Sequence, residues 1–192
     1  MSENLKLPAG VVIRPAGLAD LDYLVATDLL GEGYTDSVDA VPPHGASLPE
    51  HRAKIAAFVA GAEDMAWICE HETGDPVGMI MARYRDLFHE ANTEANRFLY
   101  RFLDKAIFPV DGRFCEVFNL WVHPAWRRQG LATALKLTIE NEARRRGMSM
   151  VYTHTETTNA HVIELNRKLG YQIVRVGPIW DEIERTSLVK WL

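Results

Sequence analysis

Leu120-Trp121-Val122-His123-Pro124-Ala125-Trp126-Arg127-Arg128-Gln129-Gly130-Leu131-Ala132-Thr133 runs from an apolar strand through a tight basic turn into a helix. The first backbone N–H groups of a helix have no internal partner, and the dipole is positive at that end. An anion such as a diphosphate is held by such groups when no bulky side chain blocks its approach. Gly130 and Ala132 keep the approach clear, while Arg127 and Arg128 add positive charge.

Downstream, Leu131, Leu135, Thr138 and Ile139 form the apolar stripe of a helix over 130–146, with Gly147 as its C-cap. Strand patterns at 150–153, 172–176 and 187–191 flank a second helix over 159–169, capped by Gly170. Upstream, 114–122 reads as a long strand stopped by Pro124. The segment 66–70 and 77–84 reads as two paired strands joined by the turn 72–76. Helices are expected over 50–62 (Ile55, Phe58 and Val59 inward) and from Asp20 to Gly31 (Leu21, Leu24, Val25 and Leu29 inward). A short strand at 11–13 opens the chain and 31–49 is a loop. In the less regular stretch 85–112, Phe98, Leu99, Phe102 and Leu103 fit one face of an inserted helix. The order β-α-α-β-β-(insert)-β-α-β-α-β-β is that of a layered α/β domain with a mixed sheet.

A chain of 192 residues suits one domain, spanning 1–192, and its 47% hydrophobic and 24% charged residues are globular in character. The formal charge of -5 argues against nucleic acid as a partner, since that affinity rests on neutralising phosphates. Cys69 and Cys115 lie in apolar strands without zinc-type spacing, so reduced core thiols and no metal are expected. No apolar run is long enough to span a bilayer, and no membrane partner is expected. The reading is a cytoplasmic protein.

The turn resembles the acetyl-CoA motif of the GNAT (GCN5-related N-acetyltransferase) superfamily, Arg/Gln-x-x-Gly-x-Gly/Ala, here carried by Arg127, Gly130 and Ala132. Ile13-Arg14-Pro15-Ala16 followed by Asp20-Leu21 is similar to that family's first strand and helix. Asn159 through Asn166-Arg167-Lys168-Leu169-Gly170-Tyr171 is similar to its late helix and the entry to the next strand. The resemblance implies a mixed, mostly antiparallel sheet of six to seven strands with helices on both faces. It also implies acetyl-CoA as co-substrate, an amine as acceptor and direct acetyl transfer; a homodimer is compatible with it. The pantetheine arm would pair along Leu120, Trp121 and Val122, and the pyrophosphate would sit on the amides of Arg128, Gln129, Gly130, Leu131, Ala132 and Thr133. Asn159 matches a position that hydrogen-bonds the arm. Donors near Val122 would stabilise an oxyanion.

Glu116 precedes the motif where related histone-type enzymes carry a catalytic glutamate, and alternation puts it on one face with Phe118 and Leu120. A carboxylate in an apolar strand is costly unless paired or functional. Two roles stand open: proton acceptor for the amine, or salt-bridge partner of a neighbouring-strand residue such as Arg83. His154, at a strand end, is a second candidate for a base or acceptor contact, against the commoner polar strand-end histidine. The family's thiolate-protonating tyrosine is replaced by Asn166, which has no usable acid proton and serves cofactor or backbone instead. Tyr152, Tyr171 or water would then supply the proton. The run Arg144-Arg145-Arg146 is read as cations complementing a helix C-terminus. Asn159 also suits an N-cap. Two other functions fit less well: a non-catalytic acyl-CoA-binding module, and a nucleotide-binding protein, for which neither Gly-Lys-Ser/Thr nor GxGxxG is present. Glu32, Asp36 and Asp39 on the first loop would suit a cationic acceptor.

Overall fold

The computed structural model describes residues 7–31, 47–61, 64–90 and 104–192. The acidic loop positions Glu32, Asp36 and Asp39 and the expected inserted helix at 98–103 therefore lie outside the described residues. Elements follow the expected order: β1 (Val11–Pro15), α1 (Leu21–Gly31), α2 (Ser47–Ala60), β2 (Asp64–His71), β3 (Pro76–Asp86), β4 (Arg113–Val122), α3 (Leu131–Arg145), β5 (Met150–Glu156), α4 (Ala160–Lys168), β6 (Gln172–Gly177) and β7 (Arg185–Trp191). The seven strands form one sheet in the order β1-β2-β3-β4-β5-β7-β6. Pairs β1/β2, β2/β3, β5/β7 and β6/β7 are antiparallel, and β4/β5 is parallel. The sheet is mixed and mostly antiparallel, as expected.

The chain divides into two compact units, Met1–Arg83 with Phe118–Thr138, and Tyr84–Val117 with Ile139–Leu192. In the first, Leu21, Leu24, Val25 and Leu29 of α1 pack with Ile55 and Phe58 of α2 on Ala66, Ile68, Met79 and Met81 of β2 and β3. These are the inward positions expected from helical and strand periodicity. The turn between β2 and β3 needs a left-handed residue, supplied by Gly74 at φ +88, and Asp75 accepts from Thr73 Oγ1 at 2.7 Å. Arg14 ties β1 to the chain on either side, donating to both Asp20 and Glu70. Cys69 is buried and unbridged, and burial pushes its thiol up to about 12.

In the second unit, Phe114 of β4 packs with Leu87, Phe108, Met150, Tyr152, Ile179 and Val189. Cys115, also unbridged, is buried on the same strand. The end of α3 is closed as expected: Gly147 takes φ +74, and the amide of Met148 donates to Ala143 O at 2.9 Å. Glu142 accepts from Arg145 and Arg146, and Arg144 meets Asn141, so the arginine run is engaged along its own helix. The fully buried Glu140 is matched by Lys190, 2.6 Å away.

Candidate functional site

The turn after β4 is built by its own backbone. The amide of His123 donates to Val77 O at 2.9 Å, and His123 Nδ1 accepts from the amide of Ala125 at 3.3 Å. A single 3-10 turn, Pro124–Trp126, follows. Arg127 Nε folds back onto Val122 O at 3.0 Å, so this arginine braces the turn as well as charging it. Two left-handed residues, Arg128 at φ 62 and Gly130 at φ 87, then swing the chain into α3. Alternation of this kind turns successive N–H groups to one side, the geometry of an anion nest.

Among the described residues, no acceptor meets the amides of Arg128, Gln129, Gly130, Leu131, Ala132 or Thr133; the first helical bond at this end is Ala134 N to Gly130 O, 2.9 Å. A Cβ placed on Gly130 would have nothing within 4 Å. The corner is open at Gly130. The expected donor near Val122 is reduced by one, because the His123 amide is already spent on Val77. Beside the first half of the turn, a groove of about 550 Å³ lies among Asp22, Tyr23, Val77, His123 and Trp126. It does not include the open amides.

Strand β4 departs from simple alternation. Phe118 stacks on Phe58 of α2 at 4.9 Å, Asn119 Nδ2 donates to Asp28 of α1 at 2.8 Å, and Trp121 meets Tyr23 of α1 edge-on at 6.1 Å. Three of four successive residues thus reach the same two helices. Pairing of β4 with β5 is confined to Cys115↔Val151 and Glu116↔Tyr152.

Glu116 is 3% exposed, and Arg85 Nε donates to its Oε2 at 2.7 Å. The salt-bridge alternative is realised, with a different partner from the one expected. Arg83 instead lies 3.7 Å from Asp64 and over the rings of Phe58 and Phe118.

His154 of β5 sits opposite Ser187, with its ring 4.9 Å from Trp180 and 5.9 Å from Tyr152. Its Nδ1 is buried and meets no partner among the described residues. Desolvation is the largest influence and lowers its pKa below the ordinary 6.5; Glu116 opposes and Arg185 adds to the shift. The ring is therefore neutral near pH 7 and able to accept a proton. Because the unfolded chain binds this proton more readily, stability from His154 is present above pH 6.5 and is lost as pH falls towards the folded pKa. Asp181 and Glu142, held at about 2 chiefly by hydrogen bonds from Arg185 and Arg145, act only at more acid pH. Thermal melts from pH 7.5 to 5.5 should show a falling Tm whose slope is smaller in His154→Gln. An unchanged slope contradicts the buried neutral ring.

Asn159 caps α4, accepting from the amide of Val162 at 3.4 Å. Asn166 is fully buried and donates Nδ2 to Val162 O at 2.8 Å, while its Oδ1 meets no partner among the described residues. Tyr152 shares a hydrogen bond of 3.1 Å with Ser187 Oγ, and burial raises the pKa of both Tyr152 and Tyr171. Among the described residues, no group of three or more His, Cys, Asp or Glu could hold a metal ion, and no helix is long and apolar enough to cross a membrane.

Sequence reasoning missed one cluster. Asp28 is 2% exposed, with Asn119 Nδ2 at one oxygen and His51 Nε2 3.1 Å from the other. Its members come from α1, α2 and β4, so no local spacing announces them.

Residues 32–171 match the acetyltransferase (GNAT) family. Over 80 residues the chain is 34% identical to GCN5-related N-acetyltransferase 6, chloroplastic, from Arabidopsis thaliana, covering 41% of this chain and 27% of that protein. The match thus spans about a quarter of that relative's length. The fold is similar to that of Arabidopsis thaliana NAA60 in complex with acetyl-CoA, with a TM-score of 0.67 and 15% identity over 95% of this chain and 98% of that one. It is also similar to yncA from Salmonella typhimurium with its cofactor acetyl-CoA, with a TM-score of 0.61 and 20% identity over 95% and 94%.

Proposed function

The chain belongs to the acetyltransferase (GNAT) family, and from that membership we propose that it transfers acetyl from acetyl-CoA to a primary amine. The observation that carries this reading is the run of six adjacent amides, Arg128 to Thr133, without an acceptor and open at Gly130. A diphosphate is the ligand whose charge and oxygen count suit such a row at a helix N-terminus. Arg128 adds a cation, and Arg127 fixes the turn through Val122 O. The solved relatives described with acetyl-CoA support the same co-substrate.

Transfer requires the amine as a free base. Its lone pair forms the C–N bond to the acetyl carbon, the C–S bond breaks, and coenzyme A leaves as thiolate. One proton of the incoming ammonium goes to a base, and a second neutralises the thiolate. We carry forward Glu116 and His154 as proton acceptors. His154 is favoured by its neutral, unpartnered Nδ1, whereas Glu116 is occupied by Arg85. The thiolate proton comes from the amine itself or from water, since Asn166 lacks an acid proton and Tyr152 is engaged with Ser187. Effects of about 10²–10⁴-fold are expected from a positioned base.

Release of free thiol from acetyl-CoA is the test, using spermidine, L-lysine, an aminoglycoside and tripeptide amides with a free N terminus. Transfer to at least one is expected. The commitment of the Asn166 amide to Val162 favours a second reading, a binding module without turnover. Tight acetyl-CoA binding with no thiol release from any of these amines would establish that reading instead.

A further inference from the structure

The groove of about 550 Å³ beside the turn takes no part in the chemistry above, and its volume is in the usual range for a small-molecule site. Asp22 and Tyr23 of α1 contribute to its lining, as do Asp75 and Val77 around the start of β3 and His123 and Trp126 of the turn. All six belong to the first compact unit. Two carboxylates are among the lining residues, and no lysine or arginine is. Asp75 and Trp126 are braced by one network. The Trp126 ring lies 5.0 Å from that of His71, and His71 Nδ1 is 2.9 Å from Thr73 Oγ1. Thr73 Oγ1 in turn donates to Asp75 Oδ2 at 2.7 Å. A carboxylate has about four acceptor positions, so one hydroxyl leaves most of its capacity unspent. Asp22 pairs with Arg52 of α2, but the two side chains are 83% and 48% exposed, and a pair of that kind is weak.

Tyr23 adds a second pointer. Its ring is fixed edge-on to Trp121, while its hydroxyl is shielded from solvent and has no hydrogen-bond partner among the described residues. Such a hydroxyl carries an uncompensated desolvation cost, which a polar group entering the groove would relieve. Aromatic faces attract cations and carboxylates neutralise them, so the combination discriminates against neutral and anionic molecules. We propose that this groove is a binding site for an organic cation, an ammonium carried on an aromatic or apolar body. Asp75 and Asp22 hold the ammonium, and the body lies against Trp126 and Tyr23. The lining does not include Arg128 to Thr133, so the cation and coenzyme A occupy different places beside the same turn. The inference goes beyond acetyl transfer and does not depend on it.

Three probes test this: phenethylamine, phenethyl alcohol and hydrocinnamate, which share a phenyl body and carry a positive, a neutral and a negative head. Each is titrated into the full chain near pH 7 while proton–nitrogen NMR follows the indole N–H of Trp126. Phenethylamine should shift this resonance with an affinity at least about tenfold above that of the alcohol, and hydrocinnamate should leave it in place. The double variant Asp22→Asn/Asp75→Asn should weaken the amine about tenfold and leave the alcohol unchanged. Retained binding of the alcohol reports an intact groove, so misfolding does not imitate this result, and the wild-type comparison stands without any variant. Saturating coenzyme A should not displace the amine. Equal affinities for amine and alcohol, or a Trp126 resonance that moves with none of the three probes, overturns the proposal. So does an amine affinity that the double variant leaves unchanged, or displacement of the amine by coenzyme A. No acetyl is transferred in these titrations, so their failure leaves the acetyltransfer reading standing. A chain that releases no thiol with any amine leaves the groove to be decided by the titrations alone.

Discussion

Gly130→Val should reduce affinity for coenzyme A by at least about 100-fold, equivalent to about 2.7 kcal/mol. Gly130 stands at φ +87 with nothing within 4 Å of where a Cβ would go. A Cβ there meets no protein atom within 4 Å, so the main expected cost to the fold is the left-handed backbone, about 1–2 kcal/mol. The valine methyl groups would instead occupy the space in front of the Arg128–Thr133 amides. Losing even two charge-assisted hydrogen bonds to a phosphate removes about 3–6 kcal/mol. Gly147 provides the matched control. It lies at φ +74 just past the other end of α3, also with nothing within 4 Å. Gly147→Val should cost similar stability and leave coenzyme A affinity unchanged. Titration calorimetry of both variants, with melts alongside, separates strain from obstruction. Equal affinities in the two variants would contradict the assignment.

Arg85→Met should be the most destabilising of the site substitutions. It strands the Glu116 carboxylate, 3% exposed, without its guanidinium. Breaking one side of a buried pair costs about 3–5 kcal/mol, because the remaining charge keeps its desolvation penalty. In a chain of this length each kcal/mol lowers Tm by roughly 2–4 °C, so a fall of about 10 °C is expected. Adding Glu116→Leu to Arg85→Met should restore most of it, since both charges then leave together. Glu116→Gln alone keeps an acceptor for Arg85 and should change stability little. If Glu116 is also a base, that variant loses kcat at neutral pH and regains part of it at high pH. A loss below about 1 kcal/mol for Arg85→Met would mean that the pair does not carry the burial of Glu116.

The element order was readable because punctuation and periodicity agreed. Pro15, Gly31, Pro124, Gly147 and Gly170 mark ends that the structure keeps within a residue or two, and the inward positions of α1 are those that 3.6-residue spacing selects. The open turn was readable for the same reason: its chemistry is local, held in a few consecutive residues. What failed was whatever depends on how strands register. Arg83 and Arg85 share one face of β3, so alternation cannot choose which meets Glu116. The strand pairing sets Arg83 against Asp64 and leaves Arg85 for Glu116. The irregular run Phe118 to Trp121 likewise defeats a period of two. Asp28, His51 and Asn119 are joined only by tertiary packing. The Asn166 side chain turned back onto its own helix, an option open to any buried amide there.

The most direct test of the account reads the open amides themselves. Proton–nitrogen NMR spectra are recorded with coenzyme A and, separately, with pantetheine, which lacks the diphosphate and the adenosine 3′-phosphate attached to it. The resonances of Arg128, Gln129, Gly130, Leu131, Ala132 and Thr133 should shift strongly with coenzyme A and stay in place with pantetheine. If coenzyme A binds and these six do not move, the diphosphate lies elsewhere and the account is wrong.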